Sequence, residues 1–252
     1  MKGFSLTIHM TSFSEVSILL SMIRKSTSSP KTGSYIDTCL DLDVRDLINA
    51  DNLSTFKKFI KVCAVYSGQL LSVDRIARDV GVSAPTIKKW LSILENSFII
   101  HFLEPDTNHP RKRIVKTPKL YFVDSGLLCH LLRLDSKEEL LLSRHKGAVV
   151  ETFAVAGLLK HRMNLCKKPN LTFYRDSIGF EVDTIADWKH TFAIEIKSSN
   201  APETKLSANT KKNLELRGDD NAGNAVFYLG DISMTINGTS YVSWKDWGDF
   251  LS

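Results

Sequence analysis

Apolar positions recur at two different periods along this chain, and the change of period divides it. From Tyr35 the spacing is helical, with Tyr35, Cys39, Leu42, Val44 and Leu47 at helix-like steps. A second helix over about 55–66 carries Phe56, Phe59, Ile60 and Cys63 as its apolar stripe. VDRIARDV (73–80) is a short amphipathic helix with Ile76 and Val80 on one side. Gly81-Val82-Ser83 turns the chain, and Ser83 is placed to cap APTIKKWLSILENS. Two short helices around a glycine-containing turn predict a helix-turn-helix, with Lys88 and Lys89 on its second helix. FIIHFL (98–103) and IVKTPKLYFVD (114–124) read as two strands, the extra hairpin of a winged helix. From Gly147 the run GAVVETFAVAGLL is apolar nearly all round, which predicts a buried helix. The period then shortens to two. LTFYRDS (171–177), FEVDTIAD (180–187) and TFAIEIKSS (191–199) read as strands. The last alternates strictly, with Phe192, Ile194 and Ile196 on one face and Ala193, Glu195 and Lys197 on the other.

Composition narrows the class. The 252 residues are 43% hydrophobic and 24% charged, enough to bury one large core or two smaller ones. Thirty-three basic against 28 acidic residues leave a net charge of +5, so a nucleic-acid surface has to be a local patch. The four cysteines are scattered without a CxxC pair, which argues against a zinc knuckle or a disulfide framework and for free thiols in a reducing cytoplasm. No run of 18 apolar residues predicts a membrane span. The opening MKGFSLTIHMTSF is broken by Thr7, His9, Thr11 and Ser12 and is followed by no small-residue cleavage site, unlike a secretory signal. No GxxxxGK[ST] occurs, so the chain has no ATP site of its own. Residues 26–34, rich in Ser and Thr with Pro30 and Gly33, read as a linker or an exposed turn. The expected organisation is a poorly determined segment over 1–34, a helical winged-helix module over 35–135 and an α/β domain over 136–252.

Two groups of residues carry candidate chemistry. Between Asp106 and Asp124 the hairpin holds Arg111, Lys112, Arg113, Lys116 and Lys119 and no acidic residue. With Ser83, Lys88 and Lys89 it can lie along the phosphates of DNA. The competing reading is a solvated helix face on a protein-docking module. The second group is acidic. Glu151 sits inside the apolar helix and needs a cation, a metal or several donors, and Arg175 and Lys197 are candidate salt-bridge partners. Glu195 and Lys197 share a strand face, and Asp183 joins them only if the neighbouring strand pairs Asp187 with Thr191 around a three-residue loop, 188–190. A two-residue loop puts Asp183 on the wrong face unless a bulge intervenes. The resulting D-x11-E-x-K set is that of the PD-(D/E)xK, restriction-endonuclease-like α/β fold with a mixed central sheet. Asp183, Glu195 and the Ile196 carbonyl are oxygen donors suited to Mg²⁺ or Mn²⁺, Glu151 can complete the shell, and Lys197 can orient the attacking water or stabilise developing charge. The Ser125 of Asp124-Ser125-Gly126 lacks a nucleophile elbow, and Asp124 reads as a helix cap. Trp244 and Trp247, three apart, read as packing residues.

Several of these stretches together resemble a known family. YIDTCLDLDVRDL (35–47), GQLLSVDRIARDVGVSAPTIKKWLSILENSFIIHFLEP (68–105), KRIVKTPKLYFVDSGLLCHLL (112–132), KGAVVETFAV (146–155), FYRDSIGFEVDTIAD (173–187) and AIEIKSS (193–199) are similar, in this order, to the C-terminal region of prokaryotic AAA-type ATP-binding proteins, a domain of unknown function numbered 4143. The resemblance covers about residues 35–230. It implies a winged helix followed by a restriction-endonuclease-like domain. The family's ATPase half is missing here, so the chain is either a truncated product or one that works with a separate ATPase. Residues 12–30 are then a remnant of the ATPase lid. Three functions compete: metal-dependent cleavage or recognition of DNA, non-enzymatic DNA-binding regulation with an inert carboxylate cluster, and docking on an ATPase or on copies of itself.

Overall fold

The structure is a computed structural model that describes residues 53–107, 114–202, 207–218, 222–247 and 250. The helix expected from Tyr35, the segment 1–34 and the basic residues Arg111, Lys112 and Arg113 lie outside the described residues.

Helix α1 (Leu53–Val65) is followed by a two-residue strand β1 (Gln69–Leu70) and by helices α2 (Val73–Val80) and α3 (Ala84–Asn96). The sequence marks each boundary. Gly81 ends α2 in the left-handed region, at φ 90°, where a side chain is strained. Ser83 Oγ accepts the Thr86 N–H at the start of α3, with Pro85 in the first turn. Phe56, Phe59 and Trp90 meet with ring centroids 5.3–5.4 Å apart, and Ile60, Ile76 and Ile87 close this core. Strands β2 (Ile100–Pro105) and β3 (Lys119–Phe122) form an antiparallel hairpin, and β1 pairs with the outer side of β3. Helix, strand, two helices and a hairpin in this order are the arrangement of a winged helix. The second hairpin strand starts at Lys119, not at residue 114; Ile114 makes only an isolated bridge to Asp176.

Helix α4 (Ser125–Leu131) is capped by Asp124, whose carboxylate accepts the Leu127 N–H, so Asp124-Ser125-Gly126 is a helix start. Helix α5 (Lys137–Leu142) begins with a capping box between Ser136 and Glu139. The long helix α6 (Lys146–Asn164), strands β4 (Leu171–Arg175), β5 (Glu181–Asp187) and β6 (Thr191–Lys197), helix α7 (Ala208–Arg217) and strands β7 (Gly223–Tyr228), β8 (Met234–Ile236) and β9 (Thr239–Ser243) complete the described chain.

All nine described strands join one mixed sheet in the order β1-β3-β2-β4-β5-β6-β7-β9-β8. The fold is α/β, as the change of period predicts. Pairing is parallel at β2–β4, β6–β7 and β7–β9 and antiparallel elsewhere. One face of the sheet, with Ile194, Ile196, Ala225 and Phe227, packs with Val150, Ala154 and Leu158 of α6. On the other face Leu214 of α7 clusters with Ile185 and Ala193. Trp247 stacks on Phe227 at 5.1 Å and donates from Nε1 to the Val242 carbonyl, while Trp244 packs against the same core from a turn. Both tryptophans therefore serve packing, although no helix carries them.

Candidate functional site

The β5–β6 register decides whether the acidic residues can meet. Asp187 pairs with Thr191, Ala186 with Phe192, Ile185 with Ala193 and Thr184 with Ile194, around the three-residue turn 188–190. That is the register the sequence demands for Asp183 and Glu195 to share a face. The paired register ends at Thr184–Ile194, and one residue further Asp183 Oδ2 accepts the Ile196 N–H at 2.8 Å. A carboxylate there takes the part of a main-chain acceptor, so the strands can separate without leaving the Ile196 N–H unpaired. Glu195 is 7% exposed; its Oε1 receives the Lys197 ammonium at 2.5 Å, and its Oε2 is buried without a partner. A buried carboxylate oxygen with nothing to accept carries an uncompensated desolvation cost.

Glu151 comes to this cluster from α6, but its partners are not the ones expected. Neither Arg175 nor Lys197 pairs with it. Its Oε1 accepts from Lys119 Nζ at 2.9 Å and from the Tyr121 hydroxyl at 2.5 Å, both on β3. Lys119 also reaches Glu181 at 2.7 Å, and Arg175 closes on Glu181 at 3.1 Å from the opposed position of β4. Lys119 is thus no part of a phosphate-facing hairpin. It is 3% exposed, with its ammonium 5.4 Å from the centre of the Phe173 ring. The sequence reading missed Lys119, Tyr121 and Glu181 as site residues. A lysine inside the apolar run KLYF, which a fully buried strand explains, is the signal that pointed to the first.

Four carboxylates (Glu151, Glu181, Asp183, Glu195) meet three cations (Lys119, Arg175, Lys197) here, one acidic group more than the cations. Desolvation, then repulsion from Glu151 and Glu195, pushes the Asp183 carboxyl well above the usual aspartate range, against the pull of Lys119 and the Ile196 N–H. Glu195 is raised by burial, with Lys197 opposing. Burial works against the charge on both lysines, but the carboxylates outweigh it, Glu151 chiefly for Lys119 and Glu195 for Lys197, and both ammonium groups are held more firmly protonated. Burial and the Glu151 carboxylate keep the Tyr121 phenol neutral.

Among the described residues no three His, Cys, Asp or Glu side chains converge as a ready-made metal shell. What the site does offer is a smaller set of hard oxygen donors. Asp183 and Glu195 are oxygen donors on neighbouring strands, the Ile196 carbonyl lies between Glu195 and Lys197 in sequence, and Glu195 Oε2 lacks a partner. Of the other sequence candidates, Lys88 and Lys89 are exposed on α3, Lys116 is exposed ahead of β3, and the Ser83 hydroxyl is engaged with Thr86 as a cap.

Comparison with known proteins divides the chain near residue 140. Residues 146–247 match a domain of unknown function, DUF4143. Residues 18–138 match a different one, DUF8612. The winged-helix stretch, expected to fall in the first of these, therefore corresponds to a separate family model. The chain is 28% identical over 174 residues to the uncharacterized proteins Rv2008c of Mycobacterium tuberculosis and Mb2031c of Mycobacterium bovis, a distant relationship. The match covers 69% of this chain and 38% of each relative, so the chain spans well under half the length of the proteins it resembles. No solved structure matches. Among the described residues no helix is long and apolar enough to cross a membrane.

Proposed function

We propose that the chain is a divalent-cation-dependent phosphodiesterase acting on DNA, with Asp183, Glu195 and Lys197 as its reacting centre and the helix-turn-helix as its grip on the substrate. One observation carries the reading: the strands part where Asp183 takes the Ile196 N–H, and beside that opening Glu195 presents a buried oxygen with no partner. Asp183, Glu195 and the Ile196 carbonyl would hold Mg²⁺ or Mn²⁺, with Glu151 adjacent. When bound, the cation would polarise the scissile phosphate and make a bound water more acidic. Asp183, its Oδ2 fixed on a main-chain N–H, is a pre-oriented ligand. Lys197, kept protonated by Glu195, stands ready to stabilise negative charge developing on phosphate oxygens. On α3, Lys88 and Lys89 supply non-specific phosphate contacts.

The test incubates the purified chain with linear, circular and branched DNA in Mn²⁺, beside an Asp183→Ala, Lys197→Ala double variant. Cleavage by the native chain alone supports the reading, and absence of cleavage by either removes it. A second reading, DNA binding without cleavage, is favoured by the exposure of Lys88 and Lys89 on a winged-helix arrangement. It predicts salt-sensitive DNA affinity that Lys88→Ala, Lys89→Ala weakens while no cleavage occurs in any metal.

A further inference from the structure

Strand β3 is buried on both faces. Leu120 and Phe122 enter the helix-turn-helix core, while Tyr121 belongs to the core beneath α6 and Lys119 turns to the carboxylates. The same half of the chain touches the Glu151 turn a second time. Ser67 Oγ hydrogen-bonds Thr152 Oγ1 at 2.9 Å, and the Thr152 hydroxyl also bonds the Ala148 carbonyl. Gly68, at φ 76°, donates its N–H to the Leu120 carbonyl and lies so close that a Cβ there would stand 3.5 Å from Glu151 Oε2. One oxygen of Glu151 is therefore tied by Lys119 and Tyr121, and the other lies against the backbone before β1. Lys119, Tyr121, Ser67 and Gly68 all come from the helix-turn-helix half.

We propose that Lys119 and Tyr121 are positioning residues of the Asp183–Glu195–Lys197 site, acting through Glu151, so that the site is a composite of both halves of the chain. The inference rests on the phosphodiesterase reading and deepens it. Tyr121 and Lys119 are too deep to touch a polymer: they are 1% and 3% exposed. They can act only by fixing where Glu151 sits. A carboxylate held by a phenol and an ammonium cannot swing away when a cation enters beside it, whereas a released one can. Hydrogen-bond partners behind metal-binding carboxylates typically matter by about 10–100-fold in metal affinity or activity.

Tyr121→Phe is the decisive variant in the full chain, because it removes one hydroxyl and leaves the ring in its packing. Lys119→Met and Lys119→Arg test the second donor, the arginine keeping the charge. Mn²⁺ affinity by calorimetry, kcat and KM for DNA cleavage, and the thermal midpoint are measured together. The expected result is Mn²⁺ affinity and kcat both about tenfold or more lower in Tyr121→Phe, with KM for DNA and the thermal midpoint near native values. Lys119→Met should lose at least as much, and Lys119→Arg should recover part of it. If the native chain binds Mn²⁺ and cuts DNA while folded Tyr121→Phe does both equally well, the positioning role is overturned and the phosphodiesterase reading stands. If the native chain neither binds Mn²⁺ nor cuts, that reading falls and the positioning role falls with it.

Discussion

Replacing Asp183 by asparagine should make the cation-free protein more stable. The substituted amide keeps an oxygen for the Ile196 N–H, so the change isolates charge. Asp183 lies one residue beyond the last β5–β6 pair, and burial, then the Glu151 and Glu195 carboxylates, oppose its charge. At an effective dielectric near 20, a like unit charge about 6 Å away repels it by about 3 kcal/mol, and Glu151 and Glu195 both contribute. Lys197, paired with Glu195, and Lys119 offset part of this, which leaves about 1–2 kcal/mol for the substitution to recover. The sign with pH is fixed by the raised carboxyl. The folded protein holds the Asp183 proton more tightly than the unfolded chain does. The native protein is therefore unpenalised below the ordinary aspartate value near 3.8 and loses stability as pH rises through the raised folded value. The gain from Asp183→Asn should be full above that value and vanish near pH 3.8. Urea unfolding in chelator, at alkaline pH and at about pH 4, reads both limits. Asp183→Asn proving less stable than native at alkaline pH, or equally stabilised at both, would refute the electrostatic reasoning.

Two further expectations test the frame around the site. Ser83→Ala removes the cap of α3 and should lower unfolding stability by about 1 kcal/mol with an unchanged urea slope. Alkylation of the native protein, followed by peptide mass spectrometry, should mark the exposed Cys166 and spare Cys63 and Cys129, the latter pushed up to about 12 chiefly by burial and secondarily by Asp124; modification of Cys129 at the Cys166 rate would show that its core opens readily.

The parts of this molecule legible in its sequence are those governed by local rules. Ser83, Gly81 and Asp124 announce helix ends because a cap needs only neighbours within one turn. The β5–β6 register was legible for a related reason: a short hairpin fixes its own pairing once the loop length is known, and burial of one face chooses that length. Glu151 shows where local rules stop. Its partners lie 30 and 32 residues earlier, on a strand that reads by itself as part of a basic hairpin. Arg175 was a reasonable candidate for the acidic cluster, yet it serves Glu181 across the β4–β5 pair, six residues away in sequence. Nothing in a hydrophobic period states which side of the molecule an ammonium group faces when both faces of its strand are buried.

The parallel join between β2 and β4, made at Glu104–Thr172 and Pro105–Phe173, has a consequence for anyone who would divide this chain. A fragment beginning near residue 136 would lose its neighbour strand and bare the main-chain donors and acceptors of β4 along an open edge, with the buried Leu171 and Phe173 beside it. Unshielded edges of that kind recruit other strands. The fragment should self-associate, and the intact chain should melt as one cooperative unit with no hinge between its halves.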